Sequence, residues 1–264
     1  MIKFIKSRIL KVISIAVIVY LMIPIIVIMI FSFNKPKRFQ NTTWNQFSFD
    51  AWTNICRDQT ICGALATSLK VGLFVTIVST VFGVLISFAI TRHKFRGRAA
   101  TNLVVFLPLA TPEVILGASL LALFLNVFIP LGFWTILIAQ ITFTISFVVV
   151  VMNARLAGMD QRLEQAAMDL YATPFQTFRY VTFPLALPGI LAAALISFSL
   201  SIDDYIVTSF NRGGVITFPI YIWSAAQKGI PPQVNVISTI MFLSSLLLVL
   251  VAGMISKRRK LKQL

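Results

Sequence analysis

Long uncharged runs, closed at their ends by charged and mostly basic residues, set the pattern of this chain. Such runs fill 12–34 between Lys11 and Lys35, 71–91 between Lys70 and Arg92, 180–202 between Arg179 and Asp203, and 229–256 between Lys228 and Lys257. The central stretch 114–154 is longer still. A helix of about 20 apolar residues crosses the hydrocarbon core of a bilayer, and each run is long enough. The central run divides at Ile129-Pro130-Leu131-Gly132, where Pro and Gly favour a tight connection. The pattern therefore predicts six spans, at about 12–33, 66–90, 102–126, 133–154, 187–209 and 234–256. The expected fold class is an all-α membrane protein, with 1–264 forming a single transmembrane domain.

Composition agrees. Of 264 residues, 58% are hydrophobic and only 12% charged, with a mean hydropathy of +0.90. A soluble domain carries about twice that charged share. Lys3, Lys6, Arg8 and Lys11 precede the first run and could open a secretory signal. That run exceeds the ~7–15 residues of a signal core, and no small-x-small cleavage site follows in Phe31-Ser32-Phe33-Asn34. The expectation is a retained first span.

A net charge of +15 invites a nucleic-acid reading, which the placement of the charge opposes. Basic residues cluster at the ends of apolar runs, as the positive-inside bias requires. With both termini inside, the inner segments hold sixteen Lys and Arg and the outer segments six, Lys70 lying within the second span. Both termini and segments 91–98 and 155–186 are expected in the cytoplasm, with 34–65 and 210–233 outside. Trp44 and Trp52 suit an interfacial belt in the first outer loop. Cys56 and Cys62 share that loop. A disulfide forms there if the loop faces an oxidising compartment. Cys62 at the membrane edge favours two unpaired thiols.

Several functions lack their residues. No Gly-rich loop ends in Gly-Lys-Ser/Thr, so the chain is not itself an ATPase of that kind. The one histidine, His93, sits in a basic turn, and no His/Cys/Asp cluster has metal-ligand spacing. Nor does any span pair a nucleophile with a base, as an intramembrane hydrolase needs.

The long inner loop 155–186 carries the sharpest signal. Helix formers fill 162–170, and Leu163, Ala166, Ala167 and Leu170 fall at 3–4 spacing on one face. Thr173-Pro174 stops or restarts the helix. Small residues on a short helix admit the close approach of another protein. The competing reading, an amphipathic helix lying on the bilayer, is weakened by Glu164 and Asp169 and by the scarcity of aromatics.

The loop also resembles the signature of bacterial ABC-importer permeases: Glu-Ala-Ala, three residues, Gly, nine residues, Ile-x-Leu-Pro. Here Gln165-Ala166-Ala167, Tyr171 and Val181-Thr182-Phe183-Pro184 stand at that spacing, with Gln for Glu, Tyr for Gly and Phe for Leu. Glu164, one position earlier, partly replaces the lost carboxylate. Phe95-Arg96-Gly97, Thr111-Pro112-Glu113, Leu131-Gly132-Phe133-Trp134, Ser201-Ile202-Asp203-Asp204 and Gln233-Val234-Asn235 are similar to the spermidine/putrescine permease family, PotC type. The resemblance implies a six-helix subunit of type I ABC-importer architecture in a bacterial cytoplasmic (inner) membrane, moving solute by alternating access. It implies a second permease of PotB type, an ATPase dimer of PotA type that carries ATP and Mg, and an external binding protein of PotD type. No cofactor is expected on this chain itself. Residues 164–167, Asp169, Leu170, Tyr171 and Pro184 would serve ATPase coupling through a cytoplasmic coupling helix. Wider relatives move opines, phosphonates, iron or thiamine, which leaves another small solute as the alternative. A membrane scaffold with no transport path is the rival from another class.

Three carboxylates bear on a cationic solute. Glu113 falls in the third predicted span, where a carboxylate is costly and faces a cavity or a partner. Asp203 and Asp204 fall near the outer end of the fifth. Each contact with a polyamine nitrogen at ~4 Å is worth about 4 kcal/mol before desolvation at an effective dielectric near 20. The other readings pair Glu113 with Lys70 or with a cation on the partner permease. For Asp203 and Asp204 they are a helix end in water or a dock for the binding protein. Pro108 and Pro112 either open span three around Glu113 or are tolerated kinks.

Overall fold

The computed structural model describes residues 2–37 and 40–261, with side chains described over 10–37 and 40–247. Arg38 and Lys262, both part of the charge count above, lie outside the described residues, as do the basic side chains of 3–8 and 257–260. Twelve α-helices and one π-helical turn account for the regular structure among the described residues. The chain divides into two compact units, Met1–Cys62 with Ile222–Leu264, and Gly63–Tyr221.

The first unit packs helix α1 (Ile2–Phe31) against α12 (Pro232–Leu261), and α12 against the short α2 (Asp50–Thr53). Between α1 and α2 the chain folds on a buried amide. Asn34 donates to Asn41 Oδ1 at 2.6 Å and to the Thr43 carbonyl at 2.8 Å, and its own oxygen accepts from the Asn45 N–H at 2.8 Å. Phe33 stacks on Trp52, with ring centroids 5.2 Å apart, and on Phe47 at 5.7 Å. Trp52 is thus part of a small aromatic core, while Trp44 sits edge-on to Phe31. The cysteines correct the sequence expectation. Cys56 and Cys62 form a disulfide, their Cα atoms 5.5 Å apart. Span two was expected to start at 66, but α3 (Gln59–Arg92) begins seven residues earlier. Its first turn brings Cys62 back beside Cys56, a separation compatible with an unstrained bridge.

The second unit is organised around α6 (Phe133–Ala157), whose buried positions include Ile136, Ala139, Gln140, Phe143, Val148, Met152 and Leu156. Helix α9 (Phe183–Asp203) lies along it. In lipid, apolar burial gives little reason for helices to associate, so close packing and polar contacts must do so. Helix α9 meets this need with small or polar residues at its buried positions Ala186, Gly189, Ala193, Ser197 and Ser201. Gly189 is required there: a Cβ would run into the side chain of Arg155 on α6, whose guanidinium forks onto the Leu185 carbonyl. Polar pairs add cross-links, Ser79 to Thr144 at 2.7 Å and Ser87 to Asn153 at 2.9 Å, each worth about 0.6 kcal/mol in a membrane.

Among the described residues, four helical segments are long and apolar enough to span a bilayer: residues Leu10–Phe31, Gln59–Arg92, Phe133–Ala157 and Pro174–Asp203. The pair α4 (Arg98–Ala110) and α5 (Glu113–Asn126), bent by 111° at Thr111-Pro112, makes a fifth when the two helices are taken as one broken span. The sixth predicted span falls on α12, whose apolar stretch among the described side chains, Pro232–Leu247, is shorter. The count of six is therefore approached rather than reached. Segment 155–186 is also less of a loop than expected. After α7 (Arg162–Asp169), α8 (Pro174–Thr177) and the π-turn Phe178–Thr182 run directly into α9, so the fifth span starts well before 187. The π-turn lies just before Pro184, which has no N–H for the Tyr180 carbonyl four residues back, and within it the Phe183 N–H reaches the Phe178 carbonyl five residues back. Segment 210–233, expected outside, contains the end of α10 (Ile206–Asn211) and α11 (Phe218–Lys228).

Candidate functional site

Two regions of the second unit carry the candidate residues: the break in span three with the end of α9, and the helix α7. At the break, Pro112 excludes Thr111 from the helical region, and Thr111 is extended at ψ 128°. Pro108, by contrast, is accommodated within α4. Glu113 is the first residue of α5, where the helix dipole favours a carboxylate. Its side chain is exposed and forms no ion pair with Lys70, which is also exposed on α3. The Glu113–Lys70 pairing considered from sequence is thus absent. The two carboxylates after α9 differ sharply. Asp203 ends the helix and is exposed. Asp204 turns inward and caps α10, accepting from the Val207 N–H at 3.1 Å, the Thr208 N–H at 2.8 Å and the Thr208 hydroxyl.

Gln140, 2% exposed on α6, completes this network. Its amide donates to Asp204 Oδ2 at 3.0 Å and to Thr208 Oγ1 at 2.8 Å, and its oxygen accepts from Ser201 Oγ. Asn211 then ties α10 to α5 through the Gly117 carbonyl at 3.2 Å. Gly117 has no Cβ to push Phe210 away. The network thus fixes α10 against α5, the helix that Glu113 begins. Sequence reasoning missed Gln140 and Thr208. The available signal was an amide isolated inside the charge-free run 114–154, where an unpaired polar group is costly.

In the other region, α7 has no buried residue. Leu163, Gln165, Ala166, Met168, Asp169 and Leu170 are exposed, and only Glu164 and Ala167 are half-buried. Glu164 pairs with Arg92 at the end of α3, Nη2 to Oε1 3.0 Å, and accepts from Thr182 Oγ1 at 3.1 Å. The helix closes in a Schellman motif, with the Ala172 N–H on the Ala167 carbonyl at 3.1 Å and the Tyr171 N–H on the Met168 carbonyl at 2.9 Å. This turn needs a left-handed residue, and Tyr171 supplies it at φ +63° with its side chain 96% exposed. The glycine of the signature is thereby explained, since it fills the position where a Cβ is penalised. Thr173 opens α8 with a capping box to Gln176, so Pro174 restarts the helix rather than ending it.

The second unit thus combines long apolar helices, a bent helix pair with a carboxylate at the bend, and a short exposed helix at one end. Residues 79–260 match the family of binding-protein-dependent transport system inner membrane components. The chain belongs to this family. It is 36% identical over 240 residues to the spermidine/putrescine transport system permease protein PotC of Haemophilus influenzae, covering 90% of this chain and 93% of that one. It is 33% identical over 230 residues to the putrescine transport system permease protein PotI of Escherichia coli, covering 84% and 81%. Among solved structures, the fold is similar to a bacterial ABC transporter involved in the import of the acidic polysaccharide alginate. That match has a TM-score of 0.65 at 16% identity over 96% of this chain and 97% of that one. The all-α architecture is that of type I ABC-importer permeases, and this permease is a multi-pass membrane subunit of such a system.

Proposed function

We propose that this permease passes a polyamine, spermidine or putrescine, inward across the bacterial cytoplasmic membrane by alternating access. The observation that carries the reading is the 36% identity to a spermidine/putrescine permease over nine-tenths of both chains. Chemistry supports it. Glu113 and Asp203 are exposed carboxylates at helix ends, free of ion pairs among the described residues, and suited to replace the hydration of a flexible polycation. Asp204 contributes by holding the outer end of α9 and α10 in place.

The partners are a second permease of PotB type, two ATPase subunits of PotA type that hold ATP and Mg, and an external binding protein of PotD type. ATP hydrolysis belongs to the ATPases. Helix α7 docks in a groove on an ATPase through Leu163, Ala166 and Leu170, with Tyr171 projecting beside it. Both termini are cytoplasmic. The Cys56–Cys62 disulfide supports an outer location for 34–65, because a bridge persists only in an oxidising compartment.

The deciding experiment reconstitutes the permease with its partners in vesicles and asks which solutes stimulate ATP hydrolysis. Spermidine or putrescine is expected to stimulate and to accumulate. Stimulation by an opine, phosphonate, ferric ion or thiamine, with none by polyamines, would replace the substrate and retain the machine.

A further inference from the structure

Helix α7 is a poor lever by its packing alone. It buries no side chain, and behind it lies a cleft of about 420 Å³ lined by Arg92, Glu164, Met168, Phe178 and Thr182. A helix standing over a cleft can tilt without moving what lies beyond it, unless something stiff bridges the gap. Glu164 is that bridge. It sits in the first turn of α7, touches Arg92, the last residue of α3, and accepts from Thr182, the last residue of the turn that continues into α9. One carboxylate therefore joins three elements, two of them the inner ends of membrane spans.

The pair is well shielded, with the Arg92 and Glu164 side chains 13% and 20% exposed, so salt screens it less than a surface bridge. It is also made end-on. Arg92 Nη2 approaches Glu164 Oε1 without hydrogen-bond alignment, and Arg92 Nε is buried without a partner. A bidentate fork would lock the angle between α3 and α7, whereas an end-on contact fixes the distance and leaves the angle free. That is the property of a strut between parts that rotate.

We propose that Arg92 and Glu164 are positioning residues for transport, a charged strut that makes the inner ends of α3 and α9 follow α7. The proposal rests on the reading that α7 receives its motion from an ATPase. It also separates Glu164 from the acidic position of the loop signature, since this carboxylate is spent inside its own chain.

The test reconstitutes the full complex in vesicles and measures ATP hydrolysis and solute uptake together. The variants are Glu164→Gln, which keeps an acceptor for Thr182, Arg92→Gln, and the exchanged pair Arg92→Glu with Glu164→Arg. Both single variants should assemble normally and hydrolyse ATP, while solute moved per ATP falls about tenfold, and the exchanged pair should recover most of it. Three results would overturn the strut: single variants that transport as much per ATP as the wild type, uncoupling by Glu164→Gln alone, which assigns Glu164 to a cation of the ATPase, and single variants that do not assemble. A wild-type complex without ATP-driven uptake would instead overturn the functional reading on which the strut rests.

Discussion

The amide of Gln140 reaches 3.0 Å to the carboxylate of Asp204 across 64 residues of sequence, in a network that also holds Ser201 and Thr208. Asp204 is thereby a cap and a tie between α6, α9 and α10, and neighbouring Asp203 is not. The two should respond differently to neutralisation. Asp204→Asn removes an acceptor from a mostly buried network and should cost about 1–3 kcal/mol of stability. The yield of assembled complex and its thermal midpoint in detergent report this. Asp203→Asn should leave both unchanged and lower polyamine uptake.

Glu113→Gln separates structure from transport at the broken span. Because Glu113 is exposed and unpaired with Lys70, assembly should be normal while spermidine uptake falls. Adding Lys70→Met should not restore uptake. Reduced yield that Lys70→Met repairs would show a buried pair, whose breakage costs about 3–5 kcal/mol. Normal spermidine uptake in the triple variant Glu113→Gln, Asp203→Asn, Asp204→Asn would rule out a carboxylate route.

Bulk on the outward face of α7 should prevent docking. Ala166 is exposed and Ala167 half-buried against its own chain, so Ala166→Trp is the cleaner probe. It should reach the membrane in normal amount and fail to copurify with the ATPases. Copurification and transport at wild-type level would remove α7 from the interface.

Tyr171 holds a left-handed conformation that glycine adopts freely, so Tyr171→Gly should relieve about 1 kcal/mol of strain at the end of α7. Slower hydrogen exchange at the amides of 171 and 172, which close the Schellman turn, would register it. If the phenol contacts the ATPase, the same variant should weaken association while stabilising the helix.

The disulfide and the charge bias make one joint prediction about orientation. Protein purified without reductant should show no free thiol at Cys56 or Cys62. In a cysteine-free background, an impermeant thiol reagent on intact cells should label a cysteine at 45 and not at 96 or 162. The reverse pattern would invert the topology.

Sequence alone determined the class of molecule, because apolar runs of bilayer length between basic clusters have few other solutions in water or lipid. It also located α7 and marked Pro108 and Pro112 as the places where span three could open, since helix periodicity and the conformational limits of Pro act within a few residues; the structure chose Pro112. Spacing identified the signature through Tyr171, and the structure supplied the reason a glycine usually stands there. What needed tertiary structure was every pairing over distance. The inward turn of Asp204 toward Gln140 and the attachment of Glu164 to Arg92 depend on which helices pack together, whereas the Cys56–Cys62 bridge, six residues apart, turned on where α3 begins. An aspartate pair in sequence looks like two equal charges. Only the packing of α6 against α9 decides that one faces outward and the other is held by an amide 64 residues away.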